Sequence, residues 1–300
     1  MPPKEYPISV VQPEQVLEPE ALGSKTKFWY RVHDDEPPWL FKFPQLNTGQ
    51  HWTEKIAAEV ADCMGILHAR VELAVFQGTR GSATESFARG GRSLFHGNQI
   101  LAGKVLGYDP KKAFRQSDHT LKNIMASIER TLMSPTSAKR AKTILAQYLM
   151  LDALVGNTDR HHENWGFLVK QVGDRWEGMP APTFDHASSL GRELVDTGEG
   201  KCRKRLLGEG LVGKYAEKAH GAIFWNSSDS RGLSPLELVR RAVKDYPDLF
   251  ASALDRLDRV DRKTLESIIE RVPMDWMTPL AREFALDLMC YNYEELSKLR

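Results

Sequence analysis

Cysteine is scarce and scattered: Cys63, Cys202 and Cys290 are the only three in 300 residues. An odd number at such wide spacing excludes a disulfide framework, and without a CxxC pair the thiols offer no zinc site. Long apolar runs are missing too. None approaches the ~20 residues of a membrane-spanning helix, and "MPPKEYPISVVQPEQVLEPE" at the start holds no apolar core for a signal peptide. Net charge is almost nil at +1, so no global field favours nucleic acid or an anionic membrane, although a local basic patch stays open. No internal repeat and no low-complexity segment breaks the chain. These absences lead us to expect a soluble, reduced, cytoplasmic protein. What is present is ordinary for a globular chain: 41% apolar and 27% charged residues, enough to build one large domain or two lobes.

Periodicity divides the chain unevenly. Residues 1–20, rich in Pro and Glu, read as a partly ordered arm. "KFWYRVH" (27–33) and "WLFKF" (39–43) alternate as strands do, around the turn "DDEPP". A helix follows over 51–64, where Ile56, Ala57, Val60, Ala61 and Met64 make one apolar face and Gly65 ends it. "ARVELAVFQG" and "SATESF" are two further strands, and "ARGGRSLFHGN" (88–98) reads as a linker. Beyond residue 110 the pattern is mainly helical, interrupted by a hairpin at 165–184. Ser234, Pro235 and Glu237 give a strong helix start in the C-terminal part. The expected architecture is bilobal and α+β: an arm (1–20), a small β-rich lobe (21–88) and a larger helical lobe (89–300). A ligand belongs in the cleft between the lobes.

The chemistry concentrates in "GNTDRHHENWGFLV" (156–169), a loop between the helix of 138–155 and the first hairpin strand. The residue before the first strand of an antiparallel hairpin and the residue after its second strand lie at the same end. Asn164 and Asp185 should therefore be neighbours, with Asp159 on the loop that leads there. An Asp and an Asn oxygen converging from two sides suit a hard cation such as Mg2+ on a nucleotide's phosphates. Asp159 is then left to take a proton from an attacking hydroxyl. This is the division of labour of phosphoryl transfer, which also needs a Lys for the phosphates. Lys42 supplies it, on the strand face opposite Trp39, Phe41 and Phe43. Glu54, at the border of the next helix's apolar face, is preferred over Glu59 as its ion-pair partner. A loop Asp-x-His-x-x-Asn is also what a solvated turn looks like, and a strand Lys is often an edge residue. The joint occurrence of all five in this order favours chemistry. Adjacent histidines point apart and lack a third ligand, so His161 is read as a structural brace bonding backbone or Asp185, and not as a metal ligand.

These segments resemble a known family. "LVGNTDRHHENWGFLV" and "PTFDHASSLG" are similar to the catalytic and metal-binding segments of HipA-like Ser/Thr kinases, whose fold is distantly similar to phosphoinositide 3/4-kinases. "LFKFP" with "TEKIAAEVADCMGI" resembles the family's Lys strand and Glu helix, "TESFAR" its hinge, and "REFALDLMCYNYEEL" its C-terminal helix. The resemblance implies Asp159 as catalytic residue, Asn164 and Asp185 as metal ligands, and Lys42 on the ATP phosphates. Glu85 and Phe87 would present backbone groups to adenine. The family's hinge Asp is replaced by Ala88, and no GxGxxG loop exists. Phosphate covering would fall to "LGSKTKFW" (22–29), with Gly23, Ser24, Lys25 and Lys27. In the family a Ser of that loop is an autophosphorylation site, making Ser24 and then Thr26 the candidates. A phosphoserine there would compete with ATP for the same N–H groups and lysines.

The resemblance further implies the kinase core alone, without the extra N-terminal subdomain of full-length toxins. It implies a protein substrate, with aminoacyl-tRNA synthetases as the family's substrate class, and a small helix-turn-helix antitoxin as partner. Direct nucleic-acid or membrane binding is not expected. Lys201, Arg203, Lys204 and Arg205 form a basic run after Asp185 that reads either as a docking patch or as a solvated loop. A phosphoinositide-type lipid kinase and a non-catalytic nucleotide-binding module are the competing classes.

Overall fold

The computed structural model describes residues 3–19, 26–112 and 114–300. Its N-terminal part is a six-stranded sheet built from β1 (Ile8–Val11), β2 (Val16–Pro19), β3 (Lys27–Tyr30), β4 (Trp39–Lys42), β5 (Val71–Phe76) and β6 (Thr79–Glu85). The strand order is β1-β5-β6-β4-β3-β2, with β1 parallel to β5 and the other pairs antiparallel. The sheet curls strongly. Phe28 on β3 and Phe76 on β5 are three strand positions apart, about 14 Å in a flat sheet, yet their ring centroids lie 4.6 Å apart. Phe41, fully buried, stacks on Phe28 at 5.1 Å inside the curl. Tyr30, Trp39, Ala74 and Ala83 complete this cluster. Alternation then sends Lys42 and its register partners Lys27 and Ser82 to the other face.

That other face is covered by α1 (Gln50–Met64), which ends at Gly65 in the left-handed conformation (φ 63°). Almost every residue of α1 is buried. Ile56, Val60 and Met64 join the same core as the C-terminal helices, Thr53 Oγ1 donates to Ala187 O at 3.0 Å, and Arg256 donates to Met64 O at 2.8 Å. The helix thus packs on both halves of the molecule.

Two segments differ from the expectation. The N-terminal arm is built into the sheet as β1 and β2: its apolar positions, with Val11 in the aromatic cluster and Tyr6 buried under Lys55 and Arg271, outweigh its prolines. The linker ends in a strand, β7 (Ser93–His96). Gly90 and Gly91 turn the chain at positive φ, and Ser93 to His96 then pair with the hairpin. That hairpin, β8 (Gly166–Val172) and β9 (Arg175–Pro180), forms the rest of a three-stranded sheet.

The remainder is helical: α2 (Gly97–Ala102), α3 (Leu121–Thr131), α4 (Pro135–Val155), α5 (Arg203–Gly208), α6 (Val212–Glu217), α7 (Pro235–Asp245), α8 (Pro247–Asp255), α9 (Arg262–Glu270) and α10 (Pro279–Ser297). No helix among the described residues is long and apolar enough to cross a membrane. The Ser234 cap forms as expected, its hydroxyl accepting from Glu237 N at 3.1 Å, while the Glu237 carboxylate turns to Arg241 instead of back to the cap. α4 runs through the core and ends at Gly156 (φ 68°), which releases the chain into the loop of interest.

Phe284 on α10 is fully buried, edge-on to Tyr215 at 5.2 Å. Phe284→Ala should cost about 3–5 kcal/mol of stability, against about 1 kcal/mol for Ser234→Ala, both read from urea unfolding.

Candidate active site

Lys42 stands at the end of β4, where the face opposite the aromatic cluster meets α1. Its Nζ lies 3.4 Å from Glu54 Oε1 and 3.4 Å from Asp185 Oδ1. Burial of this Lys, only 9% exposed, would by itself expel the proton, but Asp185 and Glu54 outweigh it, and the amine is held well above its ordinary value as an ammonium. Glu59 belongs to another network, with Lys55 at 2.8 Å and Arg271 at 3.3 Å. The preference for Glu54 is the one the geometry gives.

Asp185 itself sits in the left-handed region, φ 58°, a conformation that costs a non-glycine residue about 1–3 kcal/mol and persists only where neighbours over-determine it. The neighbours do so here. Phe184 O accepts from Arg160 Nη1 at 3.2 Å, Ala187 O from Thr53, and Ser188 O from Thr158 N at 3.1 Å. Asp159 is tied into the same knot. Its N–H donates to Asn157 Oδ1 at 3.2 Å, and its Oδ2 accepts from Ser188 Oγ at 3.4 Å. Asn164 Nδ2 donates to Asp159 O at 2.7 Å. That bond assigns the amide and turns Asn164 Oδ1, the harder ligand, the other way.

Hairpin pairing brings the flanking residues to one end, and Arg160 fastens them there. Arg160 Nη1 reaches both Asn164 O (2.5 Å) and Phe184 O (3.2 Å), tying together the two ends of the hairpin. The guanidinium is 3% exposed and forms a fork with Asp152 on α4, Nε–Oδ2 and Nη2–Oδ1 both at 2.7 Å. Nη2 also donates to Thr183 Oγ1 at 2.9 Å, and that hydroxyl lies 2.9 Å from His186 Nε2. His186 is buried, which holds it well below its ordinary value and keeps it neutral. Asp152 and Arg160 brace the hairpin ends, a role that the motifs in the sequence do not mark. The available signal was Asp152 itself, a carboxylate on the apolar stripe of a buried helix, which must have a partner.

Of the two partners expected for His161, the structure shows the backbone one. His161 is half-buried and its Nδ1 accepts from Glu163 N at 3.2 Å, a local bond with no reach to Asp185. His162 is the interior histidine, 1% exposed and 2.7 Å from Tyr108 Oη through Nδ1. Behind it, His119 accepts from Trp165 Nε1 at 3.1 Å and meets Ala222 O at 2.9 Å. An Asp-Arg pair supplies the bracing because the hairpin ends present carbonyls, which need a multi-donor cation. No group of three or more His, Cys, Asp or Glu that could hold a metal occurs among the described residues. The oxygen pair of Asp185 and Asn164 is the donor set available, and it suits a hard cation.

At the junction of the lobes, Glu85 N–H donates to Arg70 O at 3.0 Å and its carboxylate pairs with Arg89 at 2.6 Å. The Phe87 ring lies 5.3 Å from Phe184, the residue before Asp185. Gly23, Ser24 and Lys25 lie outside the described residues. Thr26 is exposed and its carbonyl accepts from Phe43 N at 3.2 Å, with Lys27 beside Lys42 in the sheet register. The basic run is not a uniform patch. Arg203 is 6% exposed and bonded to Asp196 and Gly191 O, Lys201 lies over the Tyr215 ring, and Arg205 pairs with Glu209.

A curled sheet joined to a helical lobe, with a Lys–Glu pair and Asp and Asn oxygens at the junction, defines the class of kinase-like folds. Residues 20–276 match the model of the HipA-like C-terminal domain, and the chain belongs to that family. It is 29% identical over 147 residues to the serine/threonine-protein kinase CtkA of Helicobacter pylori, a match that covers 49% of this chain and 42% of that protein. The chain thus spans about two fifths of that curated relative's length. The crystal structure of the H. pylori proinflammatory kinase CtkA superposes with a TM-score of 0.75 at 18% identity, over 99% of this chain and 98% of that one. The HipA of Shewanella oneidensis, solved with HipB and operator DNA, superposes with a TM-score of 0.59 at 15% identity, over 96% of this chain and 66% of that one.

Arg160→Met leaves a buried carboxylate unpaired, so it should cost about 3–5 kcal/mol in urea unfolding. Burial pushes His119 down to about 3 and His51 down to about 4. Their folded values lie below the unfolded value, so the unfolded chain binds these protons first. Stability should be full above pH ~6.5 and fall below it by up to ~1.4 kcal/mol per pH unit for each histidine. Urea unfolding at pH 7.5, 6 and 5 measures this, and His119→Gln should flatten part of the slope.

Proposed function

We propose that the chain is an ATP- and Mg2+-dependent protein kinase that transfers the γ-phosphoryl group to a Ser or Thr hydroxyl. One observation carries this reading: Lys42 held between Glu54 and Asp185, with Asp159 and Asn164 fastened to the same hairpin ends. Bound Mg-ATP would supply the transferable phosphoryl group and the cation that neutralises charge on it. Asp185 and Asn164 Oδ1 are the oxygens that would hold the metal. Lys42 keeps its proton and offers a fixed positive charge to the phosphates, while Glu54 stops it from swinging away. Asp159, with Ser188 as hydrogen-bond donor, orients the acceptor hydroxyl and takes its proton as that oxygen attacks phosphorus and ADP leaves. The hinge main chain at Glu85 and Phe87 would read adenine, and the segment 22–29 would cover the phosphates. The names of the CtkA relative and of the structural matches support a kinase of the Ser/Thr type.

Two finer parts belong to the same proposal. Ser24 or Thr26 is the self-modification site, because a phosphate there would compete for Lys25, Lys27 and Lys42. The chain acts as a toxin on a translation-related protein such as an aminoacyl-tRNA synthetase, held by a small helix-turn-helix antitoxin. The capture of HipA together with HipB supports a partner of that kind.

Incubation with γ-labelled ATP and Mg2+, followed by intact mass and phosphosite mapping, tests the reading. The parent should label Ser24 or Thr26. Asp159→Ala should slow transfer by about 10²–10⁴-fold, the usual range for a lost general base, and Asp185→Ala should abolish it. An Asp159→Ala variant as fast as the parent would overturn the role given to that carboxylate. ATP binding without transfer would favour a phosphoinositide kinase or a non-catalytic module.

A further inference from the structure

Beside Asp159 lies an open cavity of about 580 Å³, within the ~300–1,000 Å³ of ligand clefts. Asp159 lines it, together with its neighbours Thr158 and His161, whereas Lys42, Glu54, Asn164 and Asp185 do not. It therefore opens on the acceptor side of Asp159 and not on the side given to the phosphates. Residues 220–222, Phe224, residues 230–232, Phe114 and Arg115 complete its lining.

The charges in this cavity are one-sided. Among the described residues that line it, Asp159 is the only carboxylate, while Arg115 and Arg231 bring two exposed guanidinium groups. Other arginines of the helical part have carboxylate partners: Arg203 with Asp196, Arg205 with Glu209, Arg240 with Glu217 and Arg241 with Glu237. Neither Arg115 nor Arg231 has a carboxylate partner among the described residues. Arg231 Nη1 donates to His220 Nε2 at 2.9 Å, which props the guanidinium against the wall and uses one of its N–H groups. A guanidinium presents five N–H donors in a planar fork that fits carboxylate and phosphate oxygens. A lone catalytic carboxylate would repel an acidic segment. Two guanidinium groups lining the same cavity bring two positive charges against that one negative charge.

We propose that this cavity selects protein substrates in which an anionic side chain, carboxylate or phosphoryl, lies within a few residues of the acceptor Ser or Thr. The inference rests on the kinase reading above and adds the substrate class. Arg115 and Arg231 hold the anion, and the acceptor hydroxyl then falls at Asp159.

The test is a set of Ser peptides flanked by Asp, phosphoserine, Ala or Lys, assayed with Mg-ATP for kcat and KM. In parallel, fluorescein-labelled Asp and Lys peptides are titrated by anisotropy without ATP. The parent should show a KM at least tenfold lower for the Asp or phosphoserine peptide than for the Lys peptide. Comparison of the two acidic peptides identifies which anion is preferred. The double variant Arg115→Gln/Arg231→Gln should bring the ratio close to one through KM, and Arg231→Glu should shift preference toward Lys. A parent that ranks the peptides equally or prefers Lys overturns the proposal. So does a double variant that lowers kcat for every peptide alike, since the arginines would then serve the transferring phosphoryl group. If no peptide is phosphorylated, self-labelling with γ-labelled ATP decides the kinase reading and anisotropy decides the cavity separately. Tighter binding of the Asp peptide, lost in the double variant, supports it; equal binding rejects it.

Discussion

One buried guanidinium organises the centre of this molecule. Arg160 forks onto Asp152 in the core helix α4 and spends its remaining donors on Asn164 O, Phe184 O and Thr183 Oγ1. A charged pair this deep gives up strong hydration on both sides, and that loss is offset only when nearly every donor and acceptor is matched. Matching is what aligns the site. The carbonyls that satisfy Arg160 belong to Asn164 and Phe184, so the same bonds that make the ion pair tolerable hold the two ends of the hairpin to each other. The left-handed backbone of Asp185 is held by this network and by the contacts of Ala187 and Ser188.

The front half contributes through a different constraint. The sheet must curl to bury its aromatic face, and the curl leaves the end of β4 facing α1. Lys42 therefore has no aqueous alternative to the two carboxylates, and its ammonium state follows from the fold instead of from exposure. The basic run after Asp185 shows the opposite lesson. Four cations close in sequence look like a docking surface, yet Arg203 is an interior strut and Arg205 is neutralised by Glu209. Arg115 and Arg231, which have no carboxylate partner among the described residues, lie more than a hundred positions apart and line one cavity.

Legibility in the sequence followed the range of the interaction. Period and capping signals made α1, the Ser234 start and the hairpin readable, because each depends on neighbours within a few positions. The Lys42–Glu54 pair was readable because strand and helix are adjacent in the chain, and the Asn164–Asp185 approach because hairpin geometry is local. β1 and β7 were not, since a short strand takes its identity from the partner that accepts its hydrogen bonds. His161 is conspicuous as a loop histidine, and its ring does bond the loop backbone at Glu163 N. The arginine beside it was overlooked, since its importance comes from Asp152 eight positions back and from Phe184 across the hairpin.

The placement of α1 carries a further consequence. In protein kinases that are governed by their glutamate-bearing helix, activation turns on whether the Lys–Glu pair is formed. Here that helix is interior on nearly all sides, hydrogen-bonded to Ala187 through Thr53 and clasped at its end by Arg256. Swinging it outward would open the common core and cost a sizeable share of the stability of the whole protein. The Lys42–Glu54 pair is consequently a fixture of the fold, formed as soon as the chain folds. What can vary is the entrance of the cleft, since the pair at its floor is locked in by the core on which α1 packs.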